Sequence, residues 1–135
     1  MKSLTVLAAL AALLLPAIAG ASCIEQPEAG KWINVDRTRD LARIEVRFVC
    51  QDVVVNGKVY PPGAPWYVNA FGSEVAAQRL ASGHVYAIFD QGLAKRTVYA
   101  KISESRPGQL WVYTWTDFTD PNRTDFGAHD WFKRE

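Results

Sequence analysis

From residue 84 to residue 118 the chain alternates apolar and polar side chains through three segments, and the connections between them are too short to hold a crossover. His84–Asp90, Leu93–Glu104 and Gln109–Phe118 are separated only by Gln91-Gly92 and by Ser105-Arg106-Pro107-Gly108. Antiparallel strands can be joined by turns of this size, whereas a parallel pair needs roughly a dozen residues or more. This part of the chain must therefore be an antiparallel meander, and the rest has to be compatible with one.

The residues before it continue the pattern. Gly30–Asp36 reads as a short first strand and Arg37–Asp40 as a polar turn. In Leu41–Val49, Ile44, Val46 and Phe48 face one way and Arg43, Glu45 and Arg47 the other, the period of two that marks a half-buried strand. Asn56-Gly57, set between Val53–Val55 and Lys58–Tyr60, supplies the two positive-φ residues of a type I′ hairpin. Pro61–Pro65 cannot continue a ladder because proline has no N–H, so it is a loop leading to a strand at Trp66–Phe71. Ser73–Ser82 predicts a short helix: Ser73 can cap it, Glu74 suits the first turn, Val75, Ala76, Ala77 and Leu80 form a stripe, and Gly83 can end it. A turn at Asp120–Arg123 leads to a last segment, Phe126–Arg134. No second domain, internal repeat or low-complexity tract is visible.

Seven or eight short strands in a meander remove their edges by curling up. The expected fold is all-β and mostly antiparallel, a small up-and-down β-barrel or curled sheet with one short helix. The early Gly30-Lys31-Trp32 fits, because such a Trp commonly plugs the closed end of lipocalin- or avidin-like barrels. That analogy concerns architecture only.

The N-terminus reads as a secretory signal peptide, residues 1–21. Met1-Lys2 is positive, Leu4–Ile18 is almost unbroken apolar, and Ala17-Ile18-Ala19 and Ala19-Gly20-Ala21 are small-x-small cleavage sites. As a bilayer anchor the run falls short of the roughly 20 residues required, and Pro16 interrupts it. Cleavage would leave residues 22–135 as one periplasmic or secreted domain with no membrane span. Without Lys2 that domain carries 14 basic and 14 acidic residues, which argues against nucleic acid or an anionic membrane as partner. In an oxidising compartment Cys23 and Cys50 are expected to form a disulfide. Lipidation of Cys23 is the competing reading, although Gly20-Ala21-Ser22 lacks the usual large aliphatic residue three before the cysteine.

Trp111, Tyr113 and Trp115 occupy alternate positions of one strand. Facing inward, they would line an apolar ligand cavity. Facing outward, they would make a flat platform for sugar rings or a protein partner. As plain structure they would be core, or be covered by Trp131 and Phe132. Tyr99 shares its face with Thr97 and Lys101, opposite the smaller Val98, Ala100 and Ile102, which places it outside beside the aromatic row. Pairing register decides the matter.

Chemistry-bearing motifs are scarce. Asp117, Asp120, Asn122 and Asp125 could offer oxygen to calcium, but match no EF-hand spacing and read equally as turn residues. His84 and His129 sit in no zinc spacing, and no nucleophile elbow or phosphate loop occurs. Glu25, Glu28, Glu45 or Glu74 could pair with an aspartate as a hydrolase requires, though any chain with 14 carboxylates offers such pairs. Asn122-Arg123-Thr124 fits a glycosylation sequon, which would carry no meaning in a bacterial protein. No metal, cofactor or catalytic residue is expected.

The strand pattern resembles a set of small secreted bacterial β-domain proteins of unassigned function that open with Gly-x-Trp-x-Asn-x-Asp, here Gly30, Trp32, Asn34 and Asp36. Arg43–Val46, Tyr86-Ala87, Gly92-Leu93-Ala94, Leu110-x-Val112, Phe118-x-Asp120, Arg123, Phe126, Phe132 and Arg134 match later parts of that pattern. The likeness covers about residues 30–134. Where many of those proteins carry a cysteine-containing stretch ending in Trp-Gly, this chain has Pro61–Trp66. The resemblance implies a secreted β-domain and supplies no site residues. The expected role is a non-catalytic binding domain for a small apolar ligand or glycan, with Trp111, Tyr113, Trp115 and Tyr99 as ligand contacts. The alternative is an envelope interaction protein or an inhibitor of a secreted enzyme, with Pro61–Pro65 as its projecting loop.

Overall fold

The computed structural model describes residues 26–49, 53–60 and 65–135. The expected signal peptide, both cysteines and most of the proline loop lie outside them. The chain divides into two compact units, one of Gln26–Val49 with Gly63–Glu135 and one of Met1–Glu25 with Cys50–Pro62.

In the second unit the described part is a two-stranded hairpin, β3 (Val53–Val55) and β4 (Lys58–Tyr60). Asn56 and Gly57 join them at φ 52° and 76°, the positive pair of a type I′ turn.

The first unit is a closed antiparallel barrel of eight strands: β1 (Gly30–Asn34), β2 (Arg43–Phe48), β5 (Trp66–Ala70), β6 (Ser73–Arg79), β7 (Val85–Asp90), β8 (Ala94–Ile102), β9 (Gln109–Phe118) and β10 (Phe126–Arg134). Each strand pairs with the next, and β1 closes the ring on β10 through Trp32↔Arg134, Ile33↔Lys133 and Asn34↔Phe132. The expected up-and-down barrel is thus the fold. An eight-stranded barrel is just wide enough for side chains to fill it or for one small ligand. Here the filling comes from Ile44, Val46, Val68, Ala87, Phe89, Val98, Ala100, Leu110, Val112 and Phe132, all buried.

One end is closed by the segment entering β1. Trp32 is fully buried, its indole N–H donating to the Glu28 carbonyl at 3.0 Å. Arg134 lies 4.2 Å over the Trp32 ring and donates to the carbonyls of Ala29 and Pro27. The buried Glu28 carboxylate pairs with Arg79 and accepts the Ile102 N–H at 3.1 Å. At the other end Asn34, also buried, donates from its side chain to Leu41 O and accepts from Asp36 N, shaping the β1–β2 connection.

Two expectations are corrected. Residues 73–82 form no helix, because Ser73–Arg79 is strand β6. The apolar positions Val75 and Ala77 lie two apart and therefore share a strand face. The segment is held on both sides, by Val68↔Val75 and Trp66↔Ala77 to β5 and by Ala77↔Ala87 to β7, and two ladders outweigh a modest helix propensity. Gly83 does not cap a helix; its N–H donates to Leu80 O at 2.9 Å in the β6–β7 turn. The expected Cys23–Cys50 disulfide is corrected as well: no disulfide is present among the described residues, and both cysteines lie outside them. Closure of the barrel rests on the β1–β10 ladder and the apolar interior, neither of which needs a covalent staple.

Candidate functional site

The alternation of β9 decides where the aromatic row points. Leu110, Val112 and Thr116 are buried and face the interior, so Trp111, Tyr113 and Trp115 face outward. On β8, Val98 and Ala100 are buried, and Tyr99 stands outside with Lys101, as its parity suggested. Register then brings the four expected contact residues together: Tyr99 lies opposite Tyr113, Lys101 opposite Trp111 and Thr97 opposite Trp115.

The row is wider than those four residues. Tyr86 of β7 lies opposite Tyr99, with ring centroids 5.2 Å apart, and Tyr99 is 6.2 Å from Tyr113. Trp111 and Tyr113 are 6.1 Å apart and nearly parallel, at 12°. On β10, Trp131 pairs with Trp111 and His129 with Tyr113. Trp131 therefore extends the wall instead of covering it, while Phe132 is buried in the barrel. Aromatic side chains from four adjacent strands form one outer face. Tyr86 and Trp131 were legible in principle, since each alternates with buried neighbours (Val85 and Ala87; Phe132), but their membership depends on register.

Gly127 explains how Tyr113 sits. A Cβ at Gly127 would overlap the Tyr113 hydroxyl, so the phenol lies down over the β10 backbone where no side chain intervenes. Trp115 is the most open of the row at 40% exposure. Arg106 lies 4.3 Å over the Trp131 ring and fixes that ring at the edge of the face.

Beside this wall is an open hollow of about 460 Å³ bordered by Trp111, Trp131, His84, Lys101, Glu104 and Ser105. Trp131 also borders a second open hollow of about 550 Å³ with Arg106, His129 and Asp36. The first combines two indoles with hydrogen-bonding groups at its rim. His84 makes an edge contact with Trp111 at 5.8 Å, and its Nδ1 is 2.8 Å from Ser82 Oγ. Burial pushes the His84 pKa below its ordinary value and the nearby Lys101 charge adds to this, with Glu28 opposing. At neutral pH the imidazole is uncharged and able to donate from one nitrogen and accept at the other.

The acidic loop serves the turn. Asp125 Oδ1 accepts Phe118 N–H at 2.8 Å and Asp120 Oδ1 accepts Asn122 N–H at 2.9 Å. Among the described residues no three His, Asp or Glu side chains gather as a metal-ligand set, and no helix is long and apolar enough to cross a membrane. In comparisons with known proteins, no family model, curated protein or solved structure matches the chain.

Proposed function

We propose that this chain is a non-catalytic binding module that works outside the cytoplasm and grips a glycan on the outer aromatic face of β7–β10. The observation that carries this reading is the hollow flanked by Trp111 and Trp131 and rimmed by His84, Lys101, Glu104 and Ser105. A sugar ring has an apolar face of C–H groups and an edge of hydroxyls. The half-buried indoles, whose remaining surface borders the hollow, match the first, and mixed donors and acceptors match the second. The outward direction of the row favours this over an apolar ligand held among the same rings. The N-terminal signal-like segment supports the extracytoplasmic location, as does the resemblance to secreted β-domains.

Titrating intrinsic tryptophan fluorescence with neutral and N-acetylated oligosaccharides tests the reading. A saturable change is expected, weakened about tenfold or more in Trp111→Ala and in Trp131→Ala, as for anchor residues at an interface. A folded protein with no response across the panel would overturn it.

A second reading has its own support. Ile88 (40% exposed) and Trp115 lie on either side of Thr97 on the outer surface, and Leu93 (81% exposed) and Phe126 (48% exposed) lie at turns of the open end. Such apolar groups suit a protein partner in the envelope. Stoichiometric capture of one partner by cross-linking, abolished by Leu93→Asp, would favour this reading over the glycan one.

A further inference from the structure

The interior of the barrel at its open end holds a feature that the outer face does not use. Along β8 the inward positions are Ala94, Arg96, Val98, Ala100 and Ile102, so a guanidinium stands in an otherwise apolar row. Arg96 lies opposite Phe89 and Thr116, both buried. Its Nε is buried with no hydrogen-bond partner, and among the described residues Arg96 makes no ion pair. The guanidinium rests on the ring of Phe71, 4.6 Å away.

Phe71 is itself unusual. It has φ 53° in the β5–β6 turn, a left-handed conformation that bulky side chains rarely adopt. Asn or Gly would occupy that position without strain. The strained turn sets the Phe71 ring against Phe89, edge-on at 5.3 Å, and beneath the guanidinium. Strain of this kind persists where the surroundings over-determine it, and it concentrates at binding sites.

Both residues border a cavity of about 210 Å³, with Leu41, Thr114, Thr116 and Ala128 among its walls. Two carboxylates also reach it, and neither partners Arg96. Asp130 is bound to Arg39 at 2.8 Å, and Asp40 lies exposed at the rim. One unpaired cation, threonine hydroxyls and apolar walls are thus gathered in a small recess.

We propose that the open end of the barrel is a binding site for a small organic carboxylate, held by Arg96 from inside the wall. The buried N–H needs an acceptor, and a carboxylate meets the planar edge of a guanidinium with two oxygens. A monoanion fits better than a phosphate dianion, because Arg96 is the one unpaired cation of the recess, Arg39 at its border being bound to Asp130, and Asp40 lies at the rim. The apolar walls call for a short hydrocarbon body, and the volume limits it to a few carbons. This site is separate from the outer aromatic face, and either proposal can fail without the other.

The test uses the folded full-length protein, ¹⁵N-labelled, and follows the Arg96 Nε–H resonance, assigned by its disappearance in Arg96→Met. The probes are hexanoate, its neutral isostere hexanamide, and inorganic phosphate. A saturable shift with hexanoate is expected, with affinity at least about tenfold weaker for hexanamide and for phosphate. Arg96→Met should lose hexanoate binding by calorimetry, whereas Lys95→Met, which removes an exposed cation from the same strand, should keep it. The proposal is overturned by the absence of a saturable hexanoate shift, by equal affinity for hexanamide or phosphate, or by binding that survives in Arg96→Met. Should Arg96→Met fail to fold, the hexanoate–hexanamide comparison on the unaltered protein decides alone.

Discussion

The two ends of the barrel treat their charged groups in opposite ways. At the closed end Glu28 has a partner for each carboxylate oxygen, the Trp32 indole N–H has an acceptor, and Arg134 is both stacked and hydrogen-bonded. At the open end Arg96 has a buried N–H with no acceptor, and the turn beside it holds Phe71 in a left-handed conformation. Both ends belong to one continuous ladder, so the contrast does not come from backbone pairing. It separates charged groups that close the fold from one charged group without a partner; the unpartnered Gln109 Oε1 at the closed end is a neutral acceptor. An unmet buried donor is a cost to stability, and here it stands beside a cavity.

Substitutions can break this comparison. The largest effect is expected for Trp32→Ala, which removes a fully buried indole from the plug and should cost about 3–5 kcal/mol in chemical denaturation; an unchanged midpoint would mean that the closed end is not held as described. Glu28→Ala comes next, at about 2 kcal/mol, since it leaves the Ile102 N–H without its acceptor and takes the ion-pair partner from Arg79, which keeps its bond to Gly83 O. Arg96→Met removes a partly buried guanidinium and should behave differently, leaving stability within about 1 kcal/mol of the parent or raising it, because only the contact with Phe71 is lost against the relief of an unsatisfied donor. Equal destabilisation by Glu28→Ala and Arg96→Met would erase the distinction between the ends.

The smallest effect sharpens the account of the outer face. Because the folded His84 pKa lies below its ordinary 6.5, the unfolded chain binds this proton more readily than the folded one. The stability that neutral His84 allows is therefore complete above the unfolded value and is lost as pH falls through the folded value. Thermal melts between about pH 7.5 and pH 5 should show a small decline that is flatter in His84→Gln. Identical slopes would show that burial against Trp111 does not reach the imidazole.

Much of the barrel is legible in the amino-acid order, because strand alternation is a local property. Ile44 and Val46 against Arg43 and Arg47, or Leu110 and Val112 against Trp111 and Tyr113, declare two faces within a few residues, and Asn56-Gly57 declares its turn by backbone chemistry alone. The direction of the aromatic row was half-legible: the smaller apolar residues of β8 pointed to it, yet the gathering of Tyr86, Tyr99, Tyr113 and Trp131 required the register of three strand pairs.

Residues 73–79 show where local reasoning fails. Ser, Glu and two alanines satisfy a helix pattern as well as a strand pattern, and the turn that selects the strand is Phe71-Gly72, in which a phenylalanine occupies a place that no turn rule assigns to it. The parity of Arg96, in phase with Val98 and Ala100, was written in the sequence, but not its lack of a partner. Whether a buried donor finds an acceptor depends on groups delivered from β1–β2, β5, β7, β9 and β10, and only closure of the barrel brings them within reach. Alternation and turns such as Asn56-Gly57 thus belong to the sequence itself, since each arises from neighbours along the chain, whereas the Phe71-Gly72 turn does not. Register, the partnering of Glu28 and the unpartnered Nε of Arg96 belong to the tertiary structure, since each is a property of residues that meet only in space.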